Sequence, residues 1–324
     1  MTVEVASPYR YSHTVGMMAH GGRGFSLPVD LAVGADGVIY VLSRSDPNNA
    51  PMGGARVTLC TIDEDYYGEL AEYGTGPGGI VWPTAVAVDA DGTVYVSDEH
   101  RNDIQTFGPD RVVRGSFGER GSAPGQINRP SGLALDAEGN LLVVDSLNHR
   151  VQRFRPDGTV LGGWGQRGNG PGEFELPWGI ALDRAGNAYV ADWGNRRVQK
   201  LTPEGRFLAS FGEPGSGPGA LERPSGVAVD DDGNVYVADW IGNTVQVYQP
   251  DGSHRARLIG DCTPGNWAID QLLTVPEVME ERSHCDMTPE KRFWGPIAIE
   301  FSLDGRVLIL DSCRHRIQVY WRDA

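Results

Sequence analysis

Apolar residues along this chain come in runs of four to six, rich in Val, Leu, Ile and Tyr, and each run is closed by a polar, glycine-bearing turn. Runs of that length and make-up predict strands rather than helices. Between the first and second runs stand turns such as "AEGN", and between the third and fourth stand "RPDG", "TPEG" or "QPDG". Each supplies the glycine that a tight hairpin needs at positive φ. The pattern then restarts. "DADGTVYVSDEHRNDIQTF" from Asp89 returns as "DAEGNLLVVDSLNHRVQRF" from Asp136 and as "DRAGNAYVADWGNRRVQKL" from Asp183. Pro83, Pro130, Pro177 and Pro224 are spaced by 47 residues, and two looser copies begin at Pro28 and Pro296. Six units of four antiparallel strands predict an all-β fold, a six-bladed β-propeller.

A ring must close. The last unit offers only three strands and ends in "RIQVYW" at Trp321. The segment "RYSHTVG" (Arg10 to Gly16) is therefore expected to join the last blade as its fourth strand, which would protect two sheet edges at once. The whole chain, 1–324, is expected to form one domain. Its one interruption is "GDCTPGNWAIDQLLTVPEVMEERSHCDMTPEKRFWG", with a helical stretch "VPEVMEER" opened by Pro276. This insertion, at about 261–293, is expected to form a lid over the mouth of the propeller.

Composition narrows the partners. The formal charge is −15, from 28 basic and 43 acidic residues. Such a chain repels phosphate backbones, so no nucleic acid is expected as partner. No apolar run approaches the roughly 18 residues a membrane span needs. The first residues show no basic and then apolar leader pattern, so a cytoplasmic location is expected. The chain is expected to be a monomer. Cys60, Cys262, Cys285 and Cys313 form no C-x-x-C pair. They are read as free thiols, although Cys262 and Cys285 could pair, or hold zinc together with His284 and Cys313.

"DSLNHRVQRF" (Asp145 to Phe154) and "DSCRHRIQVY" (Asp311 to Tyr320) resemble the NHL repeat, and the resemblance extends over nearly the whole chain. Propellers of that family serve as protein- or RNA-binding modules, as lactonases, and as the amidating lyase that cleaves peptidyl-α-hydroxyglycine. Fold alone does not choose among these. The amidating lyases place zinc-binding histidines directly after the repeat proline in three blades. Here those positions hold Val29, Thr84, Ser131, Trp178, Ser225 and Ile297, so the zinc mechanism is not implied. Asp30 resembles the acidic residue that helps hold calcium in that family, and the resemblance implies at most a divalent cation such as calcium there.

Departures from the repeat mark candidate site residues. Two residues past each proline the chain reads Asp30, Ala85, Gly132, Gly179, Gly226 and Ala298, and two further on Glu300 stands where other units carry alanine. Asp30 and Glu300 fall in neighbouring blades beside the axis. A buried carboxylate there suits a general acid or base, or a cation ligand; the alternative is a salt bridge to an arginine such as Arg316. Links between second and third strands share a face with the links between blades, and these carry Arg44, Glu99, His100, Trp193 and Trp240. The recurring Asp of those links, and His149 and His315, are read as structural. The first functional reading is a small-molecule hydrolase or lyase with a pocket at the mouth. Its catalytic candidates are Asp30, His100, Glu300 and Glu99, and its ligand-binding candidates Arg44, Trp178, Trp193, Trp240 and Trp294. The second is a non-catalytic module that holds a peptide or protein on the same face.

Overall fold

The computed structural model describes residues 8–45 and 54–322, so the first seven residues, on which part of the leader reading rests, lie outside it. Six four-stranded antiparallel sheets are present among the described residues. Blade 1 comprises Pro28–Val33, Ile39–Ser43, Arg56–Cys60 and Tyr66–Leu70. Blades 2 to 5 open with Pro83–Val88, Pro130–Leu135, Ile180–Leu182 and Pro224–Val229. Blade 6 runs Pro296–Phe301, Val307–Asp311 and Arg316–Arg322, and its fourth strand is Tyr9–Val15, as the sequence predicts. That strand pairs antiparallel with the last one, Tyr9 opposite Arg322 and Val15 opposite Ile317. First strands touch first strands all the way round, including blade 6 against blade 1, so the ring is closed.

The first strands approach too closely for side chains at several points. A Cβ added to Gly179 would lie 2.3 Å from the Ser225 carbonyl oxygen, and one on Gly226 would lie 2.4 Å from that of Ile297. In blades 1, 2, 5 and 6 the first strand bulges one residue after the proline. In three blades the residue there uses a hydroxyl to tie the next blade. Thr84 Oγ1 donates to the Pro130 carbonyl at 2.7 Å, Ser131 Oγ to Pro177 at 3.2 Å, and Ser225 Oγ to Pro296 at 3.3 Å. Blade 1 has Val29 instead, and Arg44 Nε donates to the Pro83 carbonyl at 2.7 Å.

The recurring aspartate is a knot, as expected. Asp192 is fully buried; it accepts the Glu175 backbone N–H at 2.8 Å, Arg197 Nε at 2.9 Å and the Asn195 amide. It thereby fastens the inter-blade link to the neighbouring strand link. His149 and His315 are structural too: each offers Nδ1 to a backbone N–H of the next link, Leu176 at 3.1 Å and Leu27 at 3.0 Å.

The insertion holds three short helices, α1 (Asn266–Leu272), α2 (Pro276–Ser283) and α3 (Thr288–Lys291). The predicted helical stretch is α2. Trp267 of α1 is buried, packs edge-on against Phe25 and Tyr66, and donates Nε1 to the Glu64 carbonyl at 2.7 Å. Glu64 also accepts from Gly16 N at 2.8 Å and from Asn266 N. Further along, Arg316 Nη2 donates to the Arg292 carbonyl at 3.0 Å and Arg314 Nη2 to that of Pro289. These anchors lie on the flank of blades 6 and 1 and on the blade 6 link. They make the insertion a strap along the side of the ring, where the sequence reading expects a lid.

Candidate functional site

The axial channel is lined by residues of the first strands and the bulges before them, among them Asp30, Thr84, Ser131, Trp178, Ser225 and Glu300. No residue of the insertion lines it. Its free volume is about 50 Å³, enough for water but not for a drug-sized ligand.

Asp30 and Glu300 stand on adjacent first strands, opposite Leu42 and Leu308 of their own blades. Asp30 lies nearer the mouth, two residues past its proline against four for Glu300. Both carboxyls are walled in by protein while touching the channel interior. Asp30 Oδ2 accepts the Val86 N–H at 2.9 Å, and Glu300 Oε2 accepts its neighbour's, Phe301, at 3.4 Å. Among the described residues neither takes part in an ion pair. Arg316, the partner considered from sequence, is engaged with Asp311 at 3.0 Å. Burial pushes the Asp30 carboxyl up to about 8, outweighing the Val86 N–H, with the charge of Glu300 adding to the rise. Burial likewise pushes Glu300 up to about 7. Burial by the surrounding strands thus raises both groups towards neutrality, and among the described residues no cation offsets it.

A stability signature follows with a definite sign. Both carboxyls hold protons more tightly in the folded than in the unfolded chain, so their burial costs nothing below the unfolded values near 4. The penalty grows as pH rises above about 4 and levels off once pH passes about 7 for Glu300 and about 8 for Asp30. Against wild type, the Asp30→Asn, Glu300→Gln double variant is expected to gain thermal stability progressively between about pH 4 and pH 8 and no further above that. Parallel melting-temperature curves for the two proteins would show that the carboxyls are not desolvated.

Around the mouth, Trp178, Trp193 and Trp240 form a continuous row over blades 4 and 5. Their ring centroids are 5.7 and 5.8 Å apart and their planes are tilted by 38° and 36°. Arg223 lies over Trp193 at 6.0 Å. Across the ring, Arg44 sits over Trp82 at 5.1 Å, with Glu99 Oε1 at 3.9 Å from its Nη2. Trp294 is 56 % exposed and is faced by Arg314 at 5.3 Å. The sequence reading missed Trp82, Arg223 and Arg314. Trp82 and Arg223 each immediately precede a repeat proline, and that position was open to the same position-by-position comparison.

The other candidates are not brought to the channel. His100 is exposed on the rim of blade 2, and its own backbone N–H is what bonds Asp98, at 2.9 Å. Glu99 serves as the counter-charge of Arg44. All four cysteines are free, so Cys262 and Cys285 do not pair. Among the described residues no group of three or more His, Cys, Asp or Glu is placed to hold a metal ion. Neither the calcium implied at Asp30 nor the zinc set of Cys262, Cys285, His284 and Cys313 gains support.

A family model described as the NHL repeat matches residues 128–154, 174–201 and 221–248. Nothing among the curated proteins matches the chain. Solved structures do. A catalytically inactive virginiamycin B lyase from Staphylococcus aureus with quinupristin is 15% identical, with 94% of this chain and 82% of that chain covered and a TM-score of 0.57. A streptogramin B lyase is 13% identical over 97% of both chains, with a TM-score of 0.59. An auxiliary nutrient binding protein from Bacteroides ovatus is 13% identical over 97% of this chain and 76% of that chain, with a TM-score of 0.62. At such identities the likeness is one of fold.

Proposed function

We propose that this six-bladed β-propeller, three stretches of which match the NHL repeat, is a small-molecule enzyme of lyase or hydrolase type, with Asp30 and Glu300 as its proton-transfer pair. The observation that carries this reading is the pair itself: two carboxyls at the axis of a closed ring, titrating near neutrality and without a cation partner among the described residues. Groups that titrate there can both accept and deliver a proton at working pH.

The ligand rests on the mouth, with a flat or apolar part against the tryptophan row, and presents only its reacting group to Asp30. In an elimination, the carboxylate of Asp30 takes a proton beside a carbonyl, and the released electron pair expels the leaving group. Glu300, a layer deeper, sets the affinity of Asp30 for that proton through its charge. In a hydrolysis the same pair would activate a water, for which the channel has room. The presence of lyases among proteins of this fold favours elimination.

Product mass tests the reading. With a panel of esters, lactones and β-substituted carbonyl compounds, elimination leaves the combined product mass equal to that of the substrate, whereas hydrolysis adds one water. Turnover of the compound that reacts is expected to depend on Asp30; turnover equal in Asp30→Asn and wild type contradicts the assignment. The second reading, binding of a peptide or protein without turnover, is favoured by the exposure of Trp294, Ile241 and Leu147 on the same face. A ligand that needs Trp193 to bind and emerges unchanged would select it.

A further inference from the structure

Arg44 is placed in a way the ring itself does not require. Three blades hand the next proline's carbonyl a small hydroxyl, Thr84, Ser131 or Ser225. Blade 1 spends a guanidinium on that carbonyl, and its side chain is only 15% exposed. Its backbone is fixed as well: Arg44 N donates to the Leu27 carbonyl at 3.2 Å, and the preceding Ser43 pairs with Pro28 at the head of the strand that carries Asp30. Trp82 covers one face of the guanidinium. Nη2, however, is buried and has no hydrogen-bond partner among the described residues. Glu99 Oε1, at 3.9 Å, is close enough to attract it but too far to accept its proton. A buried donor left unmade is costly, and a charged one more so.

We infer that Arg44 Nη2 is the seat for an anionic oxygen of the ligand, a carboxylate, while the ligand's flat apolar part lies across the mouth on Trp178, Trp193 and Trp240. This rests on the proposed function for the idea that the mouth holds a small molecule, and it adds that molecule's class: an aryl carboxylic acid. Blades 1 and 2 face blades 4 and 5 across a six-membered ring, so the charged and aromatic seats oppose each other. The same face carries Arg129, Arg223 and Arg314, none of which forms an ion pair among the described residues. These draw an anion to the mouth of a chain whose formal charge is −15. Glu99 competes with the bound carboxylate for Arg44, so Glu99→Gln is expected to strengthen acid binding.

The experiment uses calorimetric titration with naphthyl alkanoic acids of increasing chain length and with the matching primary amides. In the wild-type protein at least one acid is expected to bind about tenfold or more tightly than its amide, the size of a single charge-assisted hydrogen bond. Arg44→Met is expected to erase that preference while leaving the amide's affinity. Trp193→Ala is expected to weaken acid and amide alike. The inference is overturned if no acid binds, if every acid matches its amide, or if the preference survives in Arg44→Met. The wild-type comparison needs no variant, so it decides even where Arg44→Met folds poorly. Asp30-dependent turnover without an acid preference would sink this inference and leave the proposed function standing. An acid preference without Asp30-dependent turnover would do the reverse.

Discussion

Replacing Asp30 with Asn is expected to lower kcat on a turned-over substrate by about 10²–10⁴-fold, the usual worth of a positioned acid or base. Asn keeps the volume of the side chain and an oxygen for the Val86 N–H, so the ring is expected to fold unchanged. What it loses is the ability to take up and release a proton near neutral pH. Glu300→Gln has a different signature. Removing the neighbouring charge takes away one of the forces that raise Asp30, so the pH–rate limb that reports Asp30 is expected to move to lower pH. A purely structural role for Glu300 would change the amount of folded protein and leave that limb in place. Stopped-flow or steady-state rates across pH, on melting-matched samples, read both outcomes.

Asp192→Ala is expected to be the most damaging single substitution for stability, about 3–5 kcal/mol, because it removes the carboxylate that faces the Arg197 charge and leaves Arg197 Nε and the Glu175 N–H without their acceptor. The pair is not itself strong evidence of stabilisation, since burying both charges is costly; breaking it is what costs most. Blade 5 supplies the control. There Thr244 stands opposite Asp239, where the other blade has Arg197 opposite Asp192. Asp239 accepts the Glu222 and Arg223 backbone N–H groups. Asp239→Ala strands no guanidinium of its own blade and is expected to lose clearly less. Denaturant midpoints for the two variants check the order; equal losses would show that the arginine contributes nothing to the knot.

Much of this architecture is written in the repeat, because a fixed interval gives every position five others to be compared with. That comparison exposes Asp30 and Glu300 as intruders where small residues are otherwise needed, and it places Trp178, Trp193 and Trp240 together on one face. It also identifies Tyr9–Val15 as the missing strand, since blade 6 is one strand short. The same logic fails where a residue's partner lies in another blade. Nothing local to Arg44 reveals that it bonds the Pro83 carbonyl, and nothing in the insertion reveals that Glu64, in a distant hairpin, holds Trp267. A segment read alone as a lid is therefore a strap. His100 shows the other limit. Its departure from the repeat is real, but the link that carries it leaves the side chain exposed on the rim, outside the channel lining.

The carboxyl pair at the axis is best tested by carbon-detected NMR titration of the side-chain carboxyls of Asp30 and Glu300 in the folded protein. Midpoints near 8 and 7, with each signal also sensing the other's titration, are the expected result. Midpoints for both groups at about 4, the values of free Asp and Glu side chains, would contradict it.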